Sequence, residues 1–425
     1  MTVPEVSAGD IAAAARRLSS VVRRTPLEWS DRLTEALGQP VLLKREDLQL
    51  CRSYKVRGAY NLISTLPPVD RARGVVCASA GNHGQGLAFA CRALRISGRV
   101  FLPTNTPRQK RQRIADIGGE WITPVIVGRS YDEAAAAALE DADVRGAVYV
   151  HPFDDPRTIA GQGTVAVELT DQYGAATGSD ELGPIDTVVV PVGGGGLAAG
   201  VAVWLRAHLP GVRILGAEPA GAPSMRAALD AGGVVSLLEV DTFVDGAAVG
   251  RVGERTYRLV RDLLDDVVTV PEGAVCTEML DLYQTEGVIA EPACALASAA
   301  ARRLLPWTPS GPVVCIVSGG NNDVSRYAEV VERSLLHEGF RNYFLVTFPQ
   351  EPGALRHFLD EVLAKGEDII AFEYVKKNNR ETGPALVGIE LERAEDLGDL
   401  LARMDASPLH IERVPPGSPL FNFLL

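Results

Sequence analysis

The chain has 425 residues, with 54 Asp and Glu against 42 Lys and Arg, and a formal net charge of −12. That length allows two or three domains with ample buried core, and the acidic balance argues against nucleic acid or an anionic membrane surface as a partner. Cys51, Cys77, Cys91, Cys276, Cys294 and Cys315 show no metal-type pairing, so they read as reduced thiols of a cytoplasmic protein rather than a disulfide frame.

The opening MTVPEVSAGD has no basic stretch followed by an apolar one, and no signal peptide is expected. Asp10 to Ser19 is alanine-rich and reads as a helix with Asp10 as its cap. Strand-like and helical runs then alternate. The expected strands are Val41 to Lys44, Val75 to Ser79, Gly98 to Leu102, Trp121 to Val127 and Ala147 to His151. Between and after them come the expected helices Val56 to Thr65, Gln85 to Leu94, Gln109 to Ile117, Tyr131 to Asp141 and Thr158 to Gln172. Thr187 to Leu205 is uncharged over the length of a membrane span, but Pro191 and four consecutive glycines break it into strand, loop and helix.

Asp186 to Pro219 is the clearest unit: strand, glycine loop, helix, short turn, strand. Continuous Val and Ile runs of this kind belong to buried parallel strands, so the expected fold class is α/β. Pro312 to Ser318 is the last such strand, and the helical stretch Val324 to His337 leads away from it. From about Arg341 the pattern changes to strand Tyr343 to Phe348, helix Gly353 to Lys365, strands Asp368 to Lys376 and Gly383 to Glu392 around the polar turn Asn378 to Glu381, helix Glu395 to Met404 and strand Leu409 to Val414. That βαββαβ order is ferredoxin-like. The tail Pro415 to Leu425 fits no element. The expected domains are 1–330, with a smaller subdomain at about 60–150, a linker 331–340, and an α+β domain 341–425.

Four runs carry candidate chemistry. The first is Ser53-Tyr54-Lys55-Val56-Arg57-Gly58-Ala59. A lone lysine is most often a solvated surface residue, but Tyr54 and Val56 suggest a partly apolar setting, and Gly58 and Ala59 let backbones approach closely. An amine that attacks an aldehyde must be neutral, which an apolar setting favours. The second run, Ser79 to Gly86, places small residues before an apolar helix, so its N–H groups can hold an anion such as a carboxylate. By itself it is equally an ordinary strand-to-helix turn with Asn82 and His83 as caps.

Gly193 to Gly196 form the third run, between a buried strand and a helix, where N–H groups can wrap a phosphate. No Lys-Ser or Lys-Thr follows, which excludes a Walker loop. Gly193, Gly195 and Ala198 fit a loose G-x-G-x-x-A pattern, and Glu218 ends the next strand, so a nicotinamide cofactor stays open at this point. The fourth run, Ser318-Gly319-Gly320-Asn321-Asn322, follows the last buried strand. Its serine hydroxyl can meet a ring nitrogen without supplying a charge, or can be a plain turn serine.

Together, in this order and spacing, the four runs resemble the fold-type II pyridoxal-phosphate enzymes, and among them the threonine dehydratase family, over about residues 20 to 330. The resemblance implies two open, twisted, mostly parallel sheets with flanking helices, and pyridoxal 5′-phosphate as the cofactor. It implies that Lys55 carries the cofactor as a Schiff base and that Asn82 hydrogen-bonds its 3′-oxygen. Gly193, Gly194, Gly195, Gly196 and Leu197 would bind its phosphate, and Ser318 would meet its pyridine nitrogen. Ser79, Gly81, Asn82 and His83 would surround the substrate carboxylate. Tyr54 stands where the family often has phenylalanine and preserves an aromatic ring there.

The implied reaction is elimination of water from L-threonine, with L-serine slower, giving 2-oxobutanoate and ammonia. Serine racemases of this fold use a second serine as a base where this chain has Ala80, so elimination is expected to outrun racemisation. Of the acidic pair with which those racemases bind a divalent cation, Glu218 matches one member and Ser224 stands at the other, so no metal site is assigned. The C-terminal unit, with Pro349-Gln350-Glu351-Pro352-Gly353-Ala354-Leu355, resembles the ACT-like regulatory domain of biosynthetic members. It implies isoleucine as an allosteric effector and a place at the first step of isoleucine biosynthesis, in a homotetramer. A dimerisation module that binds nothing, and a serine/threonine deaminase without feedback control, stay open as readings.

Overall fold

The computed structural model of the chain describes residues 6–176, 182–303, 305–374, 381–415, 418 and 420. Two compact units are distinguished: Met1–Glu272 with Asp281–Asn322, and Gly273–Leu280 with Asp323–Leu425. The first unit carries ten strands: β1 (Leu27–Trp29), β2 (Val41–Arg45), β3 (Val75–Ala78), β4 (Gly98–Leu102), β5 (Ile122–Ile126), β6 (Val148–Tyr149), β7 (Thr187–Pro191), β8 (Arg213–Pro219), β9 (Asp266–Val270) and β10 (Val313–Val317). Six of them form one sheet in the order β1-β2-β10-β7-β8-β9, parallel except for β1, which runs antiparallel to β2. The other four form a wholly parallel sheet, β5-β4-β3-β6. Every residue of β3, β7 and β10 is buried, as strands covered by helices on both faces must be.

The long helix Pro156–Ala176 packs against the helices Lys55–Ser64 and Gly196–His208 at glycines. A Cβ on Gly161 would lie 2.6 Å from Gly58 Cα, and one on Gly200 would lie 2.6 Å from Gly163 N, so backbone meets backbone at both crossings. Glycine costs each helix about 1 kcal/mol relative to alanine. Here it is the only residue that lets the three axes approach so closely.

A charged cluster is enclosed beside these crossings. The guanidinium of Arg57, fully buried, donates to both oxygens of Glu46 (2.8 and 2.7 Å), to Glu168 Oε1 (2.8 Å) and to Thr164 Oγ1 (3.2 Å). Lys44 Nζ donates to Glu168 Oε2, Gln172 Oε1 and Thr25 O at 2.7–2.9 Å. Burial pushes the Glu46 carboxyl up, but Arg57, joined by Lys44 and Thr25, outweighs it and holds the group below its usual value. Burial pushes the Lys44 amine down.

Sequence expectation and structure agree in the order of the elements and differ at their ends. Asp10 is not a helix cap: the first helix is Ala8–Leu18, Ser7 caps it, and the Asp10 carboxylate reaches back to Ser7 N at 2.9 Å, completing a capping box. The helix expected from Gln85 begins at Asn82, directly after Gly81 (φ −108, ψ −144). The strand β1 and the helices Asp31–Leu37, Ser224–Ala231, Glu254–Leu263 and Pro292–Arg303 were not anticipated, nor was β9. The uncharged run from Thr187 resolves into β7, the glycine bend and a helix, and among the described residues no helix is long and apolar enough to cross a membrane. Cys51 is half-buried, the other five cysteines are buried, and none of the six is in a disulfide.

The second unit has an antiparallel sheet of β11 (Arg341–Pro349), β12 (Glu367–Tyr374), β13 (Thr382–Leu391) and β14 (His410–Arg413) in the order β12-β13-β11-β14. With helices Ala354–Glu361 and Leu397–Ala406 this is the expected βαββαβ order, closed over Phe344, Val346, Phe348, Phe358, Val387 and Leu400. The turn beginning at Asn378 and most of the tail Pro415 to Leu425 lie outside the described residues.

Removing one member of a buried charge cluster leaves the others uncompensated, at a cost of about 3 kcal/mol or more. Arg57→Met is therefore expected to lower stability by about that amount at neutral pH, read as a lower urea midpoint. Because Arg57 depresses the folded-state pKa of Glu46, their mutual stabilisation is present above the carboxyl's ordinary 4.5 and fades as the pH falls below it. The two midpoints should converge in acid. Equal midpoints at pH 7 would show that the cluster contributes nothing.

Candidate active site

The segment that delivers Lys55 is held in an unfavourable backbone conformation. Cys51 and Arg52 have φ of +56° and +52°, a left-handed region that side chains disfavour. The chain end of β10 over-determines that geometry. Gly320 N donates to Arg52 O (2.9 Å), Tyr54 N donates to Ser318 O (3.2 Å), Asn321 Nδ2 donates to Cys51 O (2.7 Å), and Ser53 bridges Gly319. Lys55 then opens its helix with the side chain half-buried. Its Nζ donates to Pro152 O at 3.3 Å and lies 5.3 Å from the centre of the Tyr54 ring, so its hydrogen-bond partner is a neutral carbonyl.

Next to Pro152, the same loop underlies the glycine bend. A Cβ on Gly194 would overlap the Phe153 ring, one on Gly196 would stand 3.0 Å from Phe153 Cα, and one on Gly193 would stand 2.9 Å from Ala247 Cα. Gly195 is left-handed (φ +87°) and precedes the helix that starts at Gly196 and contains the buried Leu197. No side chain caps that helix. Asp154 Oδ1 accepts from Arg255 N and Thr256 N (3.0 and 3.1 Å), and Thr256 Oγ1 donates to Gly194 O (2.7 Å). Loop, helix Glu254–Leu263 and glycine bend thus fix one another. His151, whose pKa burial pushes down, accepts from Phe153 N and Asp154 N through Nδ1 and braces the turn.

The Ser79–His83 turn closes over β3. Gly81 N donates to Ser79 Oγ (3.3 Å), Gly81 is the N-cap residue, and neither Asn82 nor His83 caps the helix with its side chain. Asn82 instead reaches across to other elements: Nδ2 donates to Glu291 Oε1 (2.6 Å) and Oδ1 accepts from Asn321 Nδ2 (2.7 Å). The His83 ring is buried, and burial, with Lys55 adding to it, pushes its pKa down to about 3. Neutral, it bonds Val150 O through Nε2 (2.8 Å). The remaining Nδ1 can only accept, so His83 can meet a carboxylate through its backbone N–H and not through its ring.

The runs separated in sequence therefore meet. Pro152 and Phe153 place the Lys55 amine beside the tetraglycine bend, and Asn321 ties the Asn82 turn to the Ser318 loop, whose serine is buried at the end of β10. Sequence reasoning missed Pro152, Phe153, Asp154, Thr256 and Glu291. Asn321 lay inside a singled-out run without being given a role. Burial pushes the Glu291 carboxyl up to about 7, Asp245 adds to this, and the Asn82 and Asn321 N–H groups oppose it.

Glu218 does not serve as a ribose-binding acid. Its carboxylate, pushed up to about 7 by burial, accepts from Met225 N (3.0 Å) and Arg226 N (2.6 Å) at the start of helix Ser224–Ala231. That removes the support for a nicotinamide cofactor. Among the described residues no group of three or more His, Cys, Asp or Glu is gathered to hold a metal ion.

The arrangement fits pyridoxal phosphate: a bend too tight for any Cβ and backed by uncapped helix N–H groups, a primary amine next to it, and amide and hydroxyl groups converging from β3 and β10. The profile of the family described as pyridoxal-phosphate dependent enzyme matches residues 18–319, and that of the C-terminal regulatory domain of threonine dehydratase matches residues 332–424. The chain is 58% identical over 422 residues to the biosynthetic L-threonine dehydratase IlvA of Mycobacterium tuberculosis, covering 99% of this chain and 96% of that protein. Against the protein of the same name from Bacillus subtilis the identity is 46% over 419 residues, covering 98% and 96%. Among solved structures, the processed form of threonine deaminase isoform 2 from Solanum lycopersicum matches with TM-score 0.71 and 36% identity, over 79% of this chain and 96% of that one. Maize serine racemase matches with TM-score 0.70 and 33% identity, over 79% and 99%. The chain belongs to the pyridoxal-phosphate-dependent enzyme family and, within it, to the biosynthetic threonine dehydratases.

Proposed function

We propose that this protein is an L-threonine dehydratase that eliminates water from L-threonine and yields 2-oxobutanoate and ammonia, the first step of isoleucine biosynthesis. The observation that carries the reading is the Lys55 amine set at Pro152, one residue from the ring that backs the tetraglycine bend. Bound pyridoxal phosphate supplies an electron sink that makes a substrate's Cα proton labile and lets its β-substituent depart.

The chain's own residues do the rest. Lys55 Nζ would hold the cofactor covalently, and the same amine, when free, would take the substrate's Cα proton. N–H groups of Gly193 to Leu197 bind the phosphate, the Asn82 amide donates to the ring oxygen, and Ser318 offers the ring nitrogen an uncharged hydroxyl. The turn of Ser79, Gly81, Asn82 and His83 holds the substrate carboxylate through backbone N–H groups, while the neutral His83 ring stays bonded to Val150. L-Serine, smaller by one methyl, fits the same groups as a slower substrate. Ala80 offers no second proton carrier on the opposite face.

Residues 1–330 form the catalytic domain in this reading, 331–340 a linker, and 341–425 a regulatory domain that senses isoleucine. The ferredoxin-like sheet with its own core, and the profile matched at 332–424, support a regulatory C-terminal domain, while the segment read as a linker falls largely within the helix Tyr327–Glu338. A cytoplasmic homotetramer is the assembly we assign; thiols outside any disulfide suit the reducing compartment.

Three outcomes test this. Lys55→Ala should lose threonine turnover by about a thousandfold or more, together with the borohydride-sensitive absorbance band of the holoenzyme; a Lys55→Ala protein that turns over threonine refutes the assignment. Wild type should form no D-serine from L-serine, whereas Ala80→Ser should gain measurable racemisation in a chiral assay; D-serine at wild-type Ala80 counts against the one-base site. Truncation after Glu338 should leave dehydration intact and abolish isoleucine inhibition, and inhibition that survives it removes the sensing role from the second unit.

A further inference from the structure

Glu291 belongs to none of the four runs, yet it sits where two of them meet. It precedes the helix Pro292–Arg303, and its backbone N–H donates to Gly319 O at 3.2 Å. Its Oε1 accepts from Asn82 Nδ2 at 2.6 Å, and its carboxylate also accepts from the Asn321 backbone N–H. Two glycines leave the space it fills: a Cβ on Gly319 would stand 3.0 Å from its Cδ, and one on Gly246 would stand 3.5 Å from its Oε1. The carboxylate is thus wedged between the turn after β3 and the loop after β10, and burial leaves it little freedom to turn elsewhere.

Asn82 is held from the other side as well. Asn321 Nδ2 donates to Asn82 Oδ1 at 2.7 Å, and the same amide donates to Cys51 O at 2.7 Å, which fixes its own orientation. A carboxamide has one carbonyl and two N–H donors. With the carbonyl taken by Asn321 and one N–H taken by Glu291, the polar group Asn82 has left to offer is its second N–H. Turning the amide over would set its carbonyl oxygen against the Glu291 carboxylate and its NH2 against that of Asn321, two repulsive contacts in place of two hydrogen bonds.

We propose that Glu291 is a positioning residue of the active site: with Asn321 it locks the Asn82 carboxamide in one orientation, so that an N–H donor, and not a carbonyl, faces the ring oxygen of the cofactor. This rests on the reading that Asn82 meets that oxygen. Glu291 touches neither substrate nor cofactor in this role and acts through Asn82. It explains why a carboxylate is retained in a place where burial disfavours its charge.

The test uses full-length holoenzyme and two readouts apart from turnover: the dissociation constant of pyridoxal phosphate and the absorbance of the bound cofactor. Asn82→Ala and Glu291→Leu should each weaken cofactor binding by about tenfold and shift the band, and the double variant should be no weaker than Asn82→Ala within about twofold, because the second change has nothing left to act through. Glu291→Gln keeps an acceptor for Asn82 and should stay within about threefold of wild type. Glu291→Asp keeps the charge but falls one methylene short, should behave like Glu291→Leu, and decides the matter if the leucine variant does not fold.

Wild-type affinity and spectrum in Glu291→Leu or Glu291→Asp, beside a weakened Asn82→Ala, overturns the proposal alone. Losses that multiply in the double variant overturn it too, since they mark a structural role independent of Asn82. An Asn82→Ala protein with unchanged affinity and spectrum overturns the reading of Asn82, and the positioning role with it.

Discussion

The buried guanidinium of Arg57 is the constraint on which the geometry around Lys55 rests. It lies two residues beyond that lysine on the same helix, and bringing it out of water costs several kcal/mol that only well-placed anions return. Glu46, just after β2, and Glu168, on the helix Pro156–Ala176, are those anions, so the rotation of the Lys55 helix about its axis follows from charge pairing. Its distance from the long helix follows from Gly58 and Gly161. With both set, the direction in which the first residue of that helix projects its amine is no longer free.

The loop from Val150 to Asp155 turns this into a site. Val150 O holds the His83 ring, Pro152 O receives Lys55 Nζ, the Phe153 ring backs Gly194, and Asp154 secures the start of helix Glu254–Leu263. Backbone carbonyls and one aromatic ring do most of the positioning, which is why the glycines matter: they let main chain reach main chain and ligand. The carboxylates Glu218 and Glu291 are both raised by burial and both satisfied by N–H donors, but one serves a helix start and the other holds the Asn82 turn. The second unit folds around its own aromatic core of Phe344, Phe348 and Phe358, as a self-contained module does.

The α/β class, the order of the central elements and the ferredoxin-like end were legible because parallel buried strands are written as unbroken apolar runs and because tetraglycine bends are rare. Lys55 and the loops that the structure gathers around it were legible through their motifs. What escaped has physical reasons. β1 is three residues long and mostly exposed, too short to show a period. The helix Glu254–Leu263 is amphipathic but opens with charged residues and no capping side chain, so it lacks a start signal. Ser7 was overlooked because Asp10, three residues on, is an equally good capping type, and the two act together. Pro152 and Glu291 carry no local pattern: their significance lies in partners 97 and 209 residues away, and Phe153 likewise acts on the distant glycine bend.

One consequence concerns the order in which the ribosome makes this chain. The left-handed pair Cys51–Arg52, which presents the amine, is secured by residues at the end of β10, with the Asn321 bond to Cys51 spanning 270 positions. Until nearly the whole first unit has been synthesised, the Asn321 and Gly320 donors that hold the Cys51 and Arg52 carbonyls are missing. The setting of the Lys55 amine is thereby completed only by the chain end of β10.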